Sequence, residues 1–246
     1  MKIALQWFRS LIFIIVIYFA MIPFAIVFFP WALLSRKGSL KATQSWCGFT
    51  IWCARWMVGI HTEVRGTPPT GEVLVVGKHQ SFLDIILIYH SVPHGRFIMK
   101  KELLWTPILG QYALGIGCIP IDRGKRGHTI RKMVKDVTAG RNDPGQLIIF
   151  PQGTRVPPRE ERPYKVGSGV LYSEFKQKVV PVACNVGLFW PGHGIMRRQG
   201  TAVIEFLDPI ETGLPMQEFM QRLETQIEGA SNALMDEAER TLWPNF

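Results

Sequence analysis

The most restrictive feature of this sequence is a run of 24 residues without a charged side chain, from Leu11 to Leu34. A helix needs about 20 apolar residues to cross the hydrocarbon core of a bilayer, so this run is long enough. Two basic residues precede it, and three follow it at Arg36, Lys37 and Lys41. Because cytoplasmic flanks carry the excess of Lys and Arg, we expect the chain from Arg36 onward to lie in the cytoplasm. The sequence therefore predicts a membrane-anchored protein.

The mode of insertion leaves alternatives open. A cleavable signal peptide is disfavoured, because the apolar run is too long and no A-x-A-like cleavage site follows it. Pro23 and Pro30 each remove a backbone donor and tend to kink a helix, so the segment either spans once or dips in and returns. A second segment, Trp46–Ile60, contains three tryptophans and is interrupted by Arg55. It is too short and polar to span, and is typical of an interfacial helix with its tryptophans at headgroup depth.

The net charge of +9 is unevenly distributed along the 246 residues. Residues 1–89 carry +5, residues 90–170 carry +8 and residues 171–246 carry −4. The basic middle third suits an anionic partner or is a solvated face. Nucleic acid is disfavoured, because the aromatic residues cluster near the N-terminus and not within the basic stretch Arg123–Lys135. A membrane surface, coenzyme A or an anionic carrier protein is the better partner.

The four cysteines do not form a recognisable framework. Cys47, Cys53, Cys118 and Cys184 lack C-x-x-C spacing, so zinc and redox motifs are not supported. We expect reduced, buried thiols and no metal site.

Beyond residue 70, short apolar runs alternate with amphipathic stretches, which predicts βα units. The predicted strands are Val73–Val76, Arg96–Met99, Cys118–Ile121, Leu147–Phe150, Val179–Ala183 and Ala202–Leu207. The predicted helices are Phe82–Tyr89, Glu102–Leu114, Ile130–Ala139 and Gly167–Phe175, with one or two closing helices in Met216–Leu242. This pattern predicts an α/β fold with a mostly parallel or mixed sheet flanked by helices. We assign residues 1–60 to a membrane anchor with an interfacial helix, and residues 61–246 to one α/β domain.

A histidine and a carboxylate follow the first predicted strand of this domain, at His79 and Asp84. Ligands of α/β proteins usually bind at the carboxyl ends of the strands, where His79 is placed. A carboxylate that accepts from one imidazole nitrogen fixes the tautomer and leaves the other nitrogen as a base. The alternative is that Asp84 or Ser81 only caps the following helix.

Further polar residues follow other strands. The sequence Phe-Pro-Gln-Gly-Thr-Arg at 150–155 contains a glycine suited to a tight turn, and Arg155 can clamp a phosphate with two hydrogen bonds. Lys100 and Arg123 follow the ends of two other predicted strands and add cations to the same rim of a parallel sheet. A surface charge is the alternative for each of these cations.

These residues together resemble the membrane-bound glycerolipid acyltransferases, in particular the 1-acylglycerol-3-phosphate acyltransferases. The resemblance covers roughly residues 70–190 and rests on four ordered blocks, at 79–84, 100–123, 150–155 and 179–183. It implies transfer of an acyl group from an acyl-carrier-protein or acyl-coenzyme A thioester to the free hydroxyl of a lysophospholipid. It also implies phosphatidate as the product, the cytoplasmic face of a bacterial-type inner membrane as the location, and neither a metal nor another cofactor.

The resemblance assigns a role to each matching residue. His79 would be the general base and Asp84 would orient it, while the acceptor phosphate would contact Lys100 and Arg155, with Arg123 in support. The remaining substrate-binding candidates in the matching block are Gln152, Gly153 and Thr154. Backbone N–H groups after His79 or near Gly153 are candidate donors to the developing oxyanion.

One residue departs from the family pattern, which usually has glutamate where this chain has Gln152. The amide keeps the length of the side chain and loses the charge, which leaves the identity of the acceptor open. The alternatives are another lysolipid acceptor, such as a lyso-ornithine lipid, and a catalytically silent membrane-binding protein.

Overall fold

The computed structural model describes residues 2–122, 134–135, 137–138 and 145–242. Arg123 and most of the predicted helix Ile130–Ala139 therefore lie outside the described residues.

The strands of the described residues form one mixed sheet. They are β1 (Ile60–Arg65), β2 (Val73–Gly77), β3 (Gly95–Lys100), β4 (Ile119–Ile121), β5 (Gln146–Ile149), β6 (Val179–Cys184) and β7 (Gly200–Phe206). Their order is β1-β7-β6-β2-β5-β3-β4. Neighbouring strands are parallel except β6 and β7, which are antiparallel. The predicted α/β fold with a mostly parallel or mixed sheet is confirmed.

Helices cover both faces of this sheet. They are α1 (Lys2–Leu34), α2 (Arg36–Cys53), α3 (Leu83–Ser91), α4 (Leu109–Gly115), α5 (Gly167–Phe175) and α6 (Met216–Leu242). Alternate side chains of the central strand β2 contribute to different cores, as a strand buried on both faces requires. Val75 packs in the core shared with α1, α2 and α3, whereas Leu74 and Val76 pack in the core shared with α5 and α6.

Two regions differ from the prediction. The predicted helix Glu102–Leu114 is a 3₁₀ turn over Lys101–Trp105 followed by α4, because Pro107 lacks the N–H that a continuous helix needs. Strand β1 was not predicted, because Ile60 was assigned to the preceding helix. A left-handed Gly59, with φ of 75°, instead ends the helical segment and directs the chain into the sheet.

The N-terminal helix α1 is long and apolar enough to cross a membrane, and an 18-residue window within Ile3–Leu34 has a mean hydropathy of 2.9. One face of α1 packs against the rest of the protein through the fully buried Phe13 and Ile17. Most other large apolar side chains of α1 are exposed, among them Phe19, Ile26, Val27 and Leu33. A long apolar helix with an exposed apolar face indicates association with a membrane.

The prediction that all three tryptophans of Trp46–Ile60 lie at headgroup depth is wrong for Trp46. This side chain is buried between α1 and the α/β domain, and its indole N–H donates to the carbonyl of Ile17 at 2.9 Å. Trp52 and Trp56 are exposed, and their position at headgroup depth stays a prediction.

Candidate active site

The candidate site lies at the carboxyl edge of the parallel strands. Strands β2 and β5 are adjacent and in register, with Val76 opposite Ile149, so the segments that follow them leave the sheet side by side. His79 follows β2, and the block 150–155 follows β5. Lys100 is the last residue of β3, the next parallel strand beyond β5. The predicted placement of these residues at one edge follows from this strand order.

His79 and Asp84 form the central pair of the site. The Nδ1 atom of His79 lies 2.9 Å from Oδ1 of Asp84, whose side chain is fully buried. The other carboxylate oxygen, Oδ2, accepts from the backbone N–H groups of Gln80 at 2.8 Å and Ser81 at 2.7 Å. A carboxylate held by two amides has little freedom to rotate, so it fixes the orientation of the imidazole.

The neighbouring serine stabilises the turn that leads into the following helix. The Oγ atom of Ser81 accepts from the N–H of Leu83, the first residue of α3, at 3.1 Å. Asp84 instead folds back onto the loop that precedes the helix. The sequence thus places a turn-stabilising serine and an imidazole-binding aspartate within four residues.

The backbone and ring of His79 connect this loop to the block at 150–155. The imidazole stacks on Phe150 with ring centroids 4.1 Å apart, and the carbonyl of His79 accepts from the N–H of Val156 at 2.7 Å. The His79 side chain keeps 13% of its surface exposed. With Nδ1 bound to Asp84, Nε2 is the nitrogen that can take a proton from a bound hydroxyl.

The block at 150–155 forms a tight turn. Gly153 has φ of 71°, a conformation that favours glycine, and its N–H donates to the carbonyl of Phe150 at 3.0 Å. Arg155 is exposed, and its Nη1 donates to the carbonyl of Gly192 at 2.8 Å. Thr154 is half-buried beside it. The turn therefore presents a guanidinium to solvent close to the His79 loop.

The remaining predicted site residues differ in their surroundings. Lys100 is exposed, with its Nζ 3.5 Å from Oε1 of Glu102. Gln152 is almost fully buried and does not face solvent. The candidate oxyanion donors are engaged elsewhere, since the N–H groups of Gln80 and Ser81 bind Asp84 and that of Gly153 binds Phe150. That prediction is wrong for these three amides.

Sequence reasoning missed an ion pair between the buried Lys78, which precedes His79, and the partly exposed Glu228. The Nζ atom of Lys78 lies 2.8 and 2.7 Å from the two carboxylate oxygens of Glu228, a residue of α6. The Tyr164 hydroxyl donates to the same carboxylate at 2.9 Å. No local sequence signal connects Lys78 to Glu228, because 150 positions separate them.

An aromatic cluster joins the site to the N-terminal helix. Phe82, within the loop between His79 and Asp84, contacts Trp190 edge to face at a centroid distance of 6.3 Å. Trp190 in turn contacts Phe13 of α1 at 5.1 Å, also edge to face. Helix α1 is thus part of the packing that supports the His79 loop.

The cysteines are buried and unbridged, as predicted. Burial raises the pKa of the Cys118 thiol to about 11, which keeps it protonated near neutral pH. Within the described ranges, no group of three or more His, Cys, Asp or Glu side chains is arranged to hold a metal ion.

Comparison with known proteins finds relatives that share one name. The chain is 30% identical over 160 residues to a 1-acyl-sn-glycerol-3-phosphate acyltransferase of Pseudomonas aeruginosa, covering 64% of this chain and 62% of that protein. It is 33% identical over 133 residues to the human 1-acyl-sn-glycerol-3-phosphate acyltransferase alpha, covering 52% and 47%. The chain thus spans less than two thirds of the length of these relatives.

The crystal structure of the 1-acyl-sn-glycerophosphate acyltransferase PlsC from Thermotoga maritima has the same fold. It superposes with a TM-score of 0.78 at 19% identity and covers 95% of this chain and 99% of that one. A model of the Acyltransferase family matches residues 61–185, which include both the His79–Asp84 pair and the turn at 150–155. Since that match covers half of the sequence, the chain belongs to the Acyltransferase family.

Proposed function

We propose that this acyltransferase moves a fatty acyl group from a thioester to the free hydroxyl of 1-acyl-glycerol-3-phosphate, which gives phosphatidate. The observation that carries the proposal is the 2.9 Å contact between Nδ1 of His79 and the fully buried carboxylate of Asp84. This pair supplies an oriented base, and the names of the relatives indicate the acceptor.

In the proposed reaction, Nε2 of His79 takes the proton of the acceptor hydroxyl while the hydroxyl oxygen attacks the thioester carbonyl carbon. The tetrahedral intermediate collapses, the C–S bond breaks, and the imidazolium returns the proton to the leaving thiolate. The Asp84 carboxylate stabilises the imidazolium that forms. A positioned base of this kind contributes on the order of 10²–10⁴ in rate. The donor is an acyl-carrier-protein or acyl-coenzyme A thioester, and the chemistry of the pair is the same for both.

The acceptor phosphate would bind at the cationic rim. Arg155 is exposed and already oriented by its bond to Gly192, and its fork can form two hydrogen bonds to a phosphate. Lys100 is exposed at the same edge of the sheet and can exchange Glu102 for phosphate at little cost, since solvent-exposed pairs are weak. Arg123 is assigned to the same role from the sequence alone.

We propose that residues 1–60 attach the protein to the inner membrane and that residues 61–246 form the catalytic domain, with its site on the cytoplasmic face. The exposed apolar side chains of α1 support attachment, and the basic residues that follow α1 support this orientation. Since α1 also packs against the domain, its exposed face would lie in lipid while its other face holds the domain at the bilayer.

The function is tested with the full chain in detergent or vesicles, supplied with a panel of lysolipids and both donor thioesters. We expect 1-acyl-glycerol-3-phosphate to be the best acceptor and the activity to require His79. Preference for lyso-ornithine lipid or another lysolipid would replace the acceptor and keep the reaction type. Transfer to none of the lysolipids would overturn the proposal.

Membrane attachment is tested on the same chain by washing membranes with high salt. Salt at 1 M screens exposed charges within about 3 Å and leaves apolar burial intact, so the wild type should stay in the membrane fraction. The double change Ile26→Glu and Val27→Glu, at two exposed positions of α1, should shift protein into the soluble fraction. The matched control, Asn232→Glu with Ala233→Glu on the exposed face of α6, should not. Release of the wild type by salt alone would contradict the apolar attachment.

A further inference from the structure

A buried cation lies directly before the proposed catalytic base. The side chain of Lys78 is 2% exposed, and both oxygens of Glu228 lie within 2.8 Å of its ammonium group. Burying an ammonium group without a counter-charge is strongly unfavourable. The Glu228 carboxylate therefore holds Lys78 in place. Lys78 is the first residue of the loop that carries His79.

The same carboxylate contacts two other segments of the site. Its Oε1 atom accepts from the Tyr164 hydroxyl at 2.9 Å and lies 3.4 Å from Nε2 of Gln152. Burial, followed by the nearby Glu228 charge, raises the pKa of Tyr164, so its hydroxyl stays a donor. One residue of α6 thus joins the segment after β2, the turn after β5 and the segment that leads into α5.

The amide of Gln152 is oriented by its surroundings. Its Nε2 lies 3.4 Å from the carbonyl oxygen of Arg162 and 3.4 Å from Oε1 of Glu228, and both of these atoms are acceptors. Only a donor suits this position. An ionised glutamate would face a carbonyl and a second carboxylate in a region where Gln152 is almost fully buried.

We propose that Glu228 is a positioning residue of the active site, and that it makes a neutral donor at position 152 necessary. One negative charge balances Lys78, and in this chain α6 supplies it in place of the turn at 150–155. This inference rests on the proposed function for its catalytic consequence, and it gives a physical reason for Gln152 where the family pattern has glutamate. A single negative charge beside Lys78 is then sufficient.

The test compares four variants of the full chain in detergent: Gln152→Glu, Glu228→Gln, the double variant, and the control Glu72→Gln. Glu72 is exposed and directly precedes β2, at the edge of the sheet opposite to the site. Each variant is measured for its unfolding temperature, and for kcat and KM with 1-acyl-glycerol-3-phosphate and an acyl-coenzyme A thioester.

We expect each single change at 152 or 228 to lower kcat by about 10-fold or more, the range for a buried group left without its partner. Gln152→Glu places two carboxylates beside one lysine, and Glu228→Gln leaves that lysine with none. The double variant restores one charge of each sign, so kcat and the unfolding temperature should both recover relative to either single variant. Glu72→Gln should leave both unchanged.

A pH profile separates this charge effect from a general structural defect. The charged and titratable groups that surround positions 152 and 228 are Lys78, Glu161, Tyr164, Cys184 and Glu224. In Gln152→Glu, two carboxylates share the site, so one of them has a raised pKa in the folded state. A raised pKa means that protonation stabilises the folded form, so the defect should shrink as pH falls from about 8 to about 6. The wild type should not show this gain.

Two results would overturn the inference. The first is an additive cycle, in which the double variant loses as much kcat and unfolding temperature as the two single variants combined. The second is a Gln152→Glu defect that does not change with pH. If the wild type acylates no lysolipid, the proposed function fails, and the unfolding-temperature cycle by itself decides whether Glu228 and residue 152 are coupled.

Discussion

The two halves of the candidate site are held in different ways. The Asp84 carboxylate is fully buried and binds an imidazole and two backbone amides, so the base half is fixed before substrate arrives. On the cationic half, Lys100 is 52% exposed, and the exposed Arg155 guanidinium donates to one backbone carbonyl. A proton transfer needs an oriented base, whereas a phosphate can be attracted by solvated cations and needs less preorganisation. The difference indicates that changes in the base half should act on kcat and changes in the cationic half on KM for the acceptor.

The strongest test of this division is His79→Ala. Removing the base should lower kcat by at least about 10²–10⁴-fold. The stack on Phe150 is also lost, which should cost only about 0.5–1.5 kcal/mol of stability. Acyl transfer is measured at saturating acceptor, with the unfolding temperature as the control for folding. Wild-type turnover in this variant would remove the general-base assignment.

Asp84→Asn should have the second largest effect. The buried carboxylate accepts from three groups, and an amide in its place must direct a donor towards at least one of them. We expect a loss of kcat that approaches that of His79→Ala, together with a loss of about 1–3 kcal/mol in the free energy of unfolding. Kinetics and denaturant unfolding measure the two effects separately. A change confined to stability would show that Asp84 supports the loop without acting through the imidazole.

Arg155→Ala should act on the acceptor instead. A lost charge-assisted contact to phosphate costs about 1.5–3 kcal/mol, or roughly 10- to 150-fold in KM for 1-acyl-glycerol-3-phosphate. The KM for the thioester should stay the same. Lys178→Ala is the matched control, since Lys178 is an exposed cation 2.8 Å from Glu211 and outside the site. A rise only in the donor's KM would move Arg155 to the thioester side of the reaction.

Lys100→Ala should give the smallest effect, about tenfold or less in acceptor KM, because an exposed lysine forms a solvated contact with phosphate. Raising the ionic strength should reduce this difference between wild type and variant, since exposed charges are screened. The kcat of both proteins should change little with salt. A loss in kcat that salt does not alter would place Lys100 with the buried half of the site.

Local features of the site were predictable from the sequence, and long-range ones were not. His79 and Asp84 lie five residues apart across a strand–helix junction, so their contact follows from the chain itself. The common edge of His79, Lys100 and Arg155 follows from parallel strands. The ion pair of Lys78 with Glu228 does not, because only the docking of α6 on the sheet brings these residues together.

For the fold, too, some features were predictable from the sequence and others were not. The apolar runs of the central strands identified them, since both of their faces are buried. Strand β1 lies at the edge of the sheet and carries mainly polar or charged side chains, so it gave no comparable signal. The burial of Trp46 could not be predicted from the sequence either, because its hydrogen-bond partner is a backbone carbonyl on a helix expected to lie in lipid.

The contact between Phe13 and Trp190 has a consequence for synthesis of the protein. Trp190 is made about 180 residues after Phe13, which at a translation rate of about 5–20 residues per second is a delay of roughly 10 to 35 s. During this interval α1 is present without the aromatic ring that later packs against Phe13. Throughout this delay, lipid is a more favourable environment than water for the exposed Phe and Ile side chains of α1. An early arrival of α1 at the bilayer would therefore protect the nascent chain from aggregation until the domain that it supports is complete.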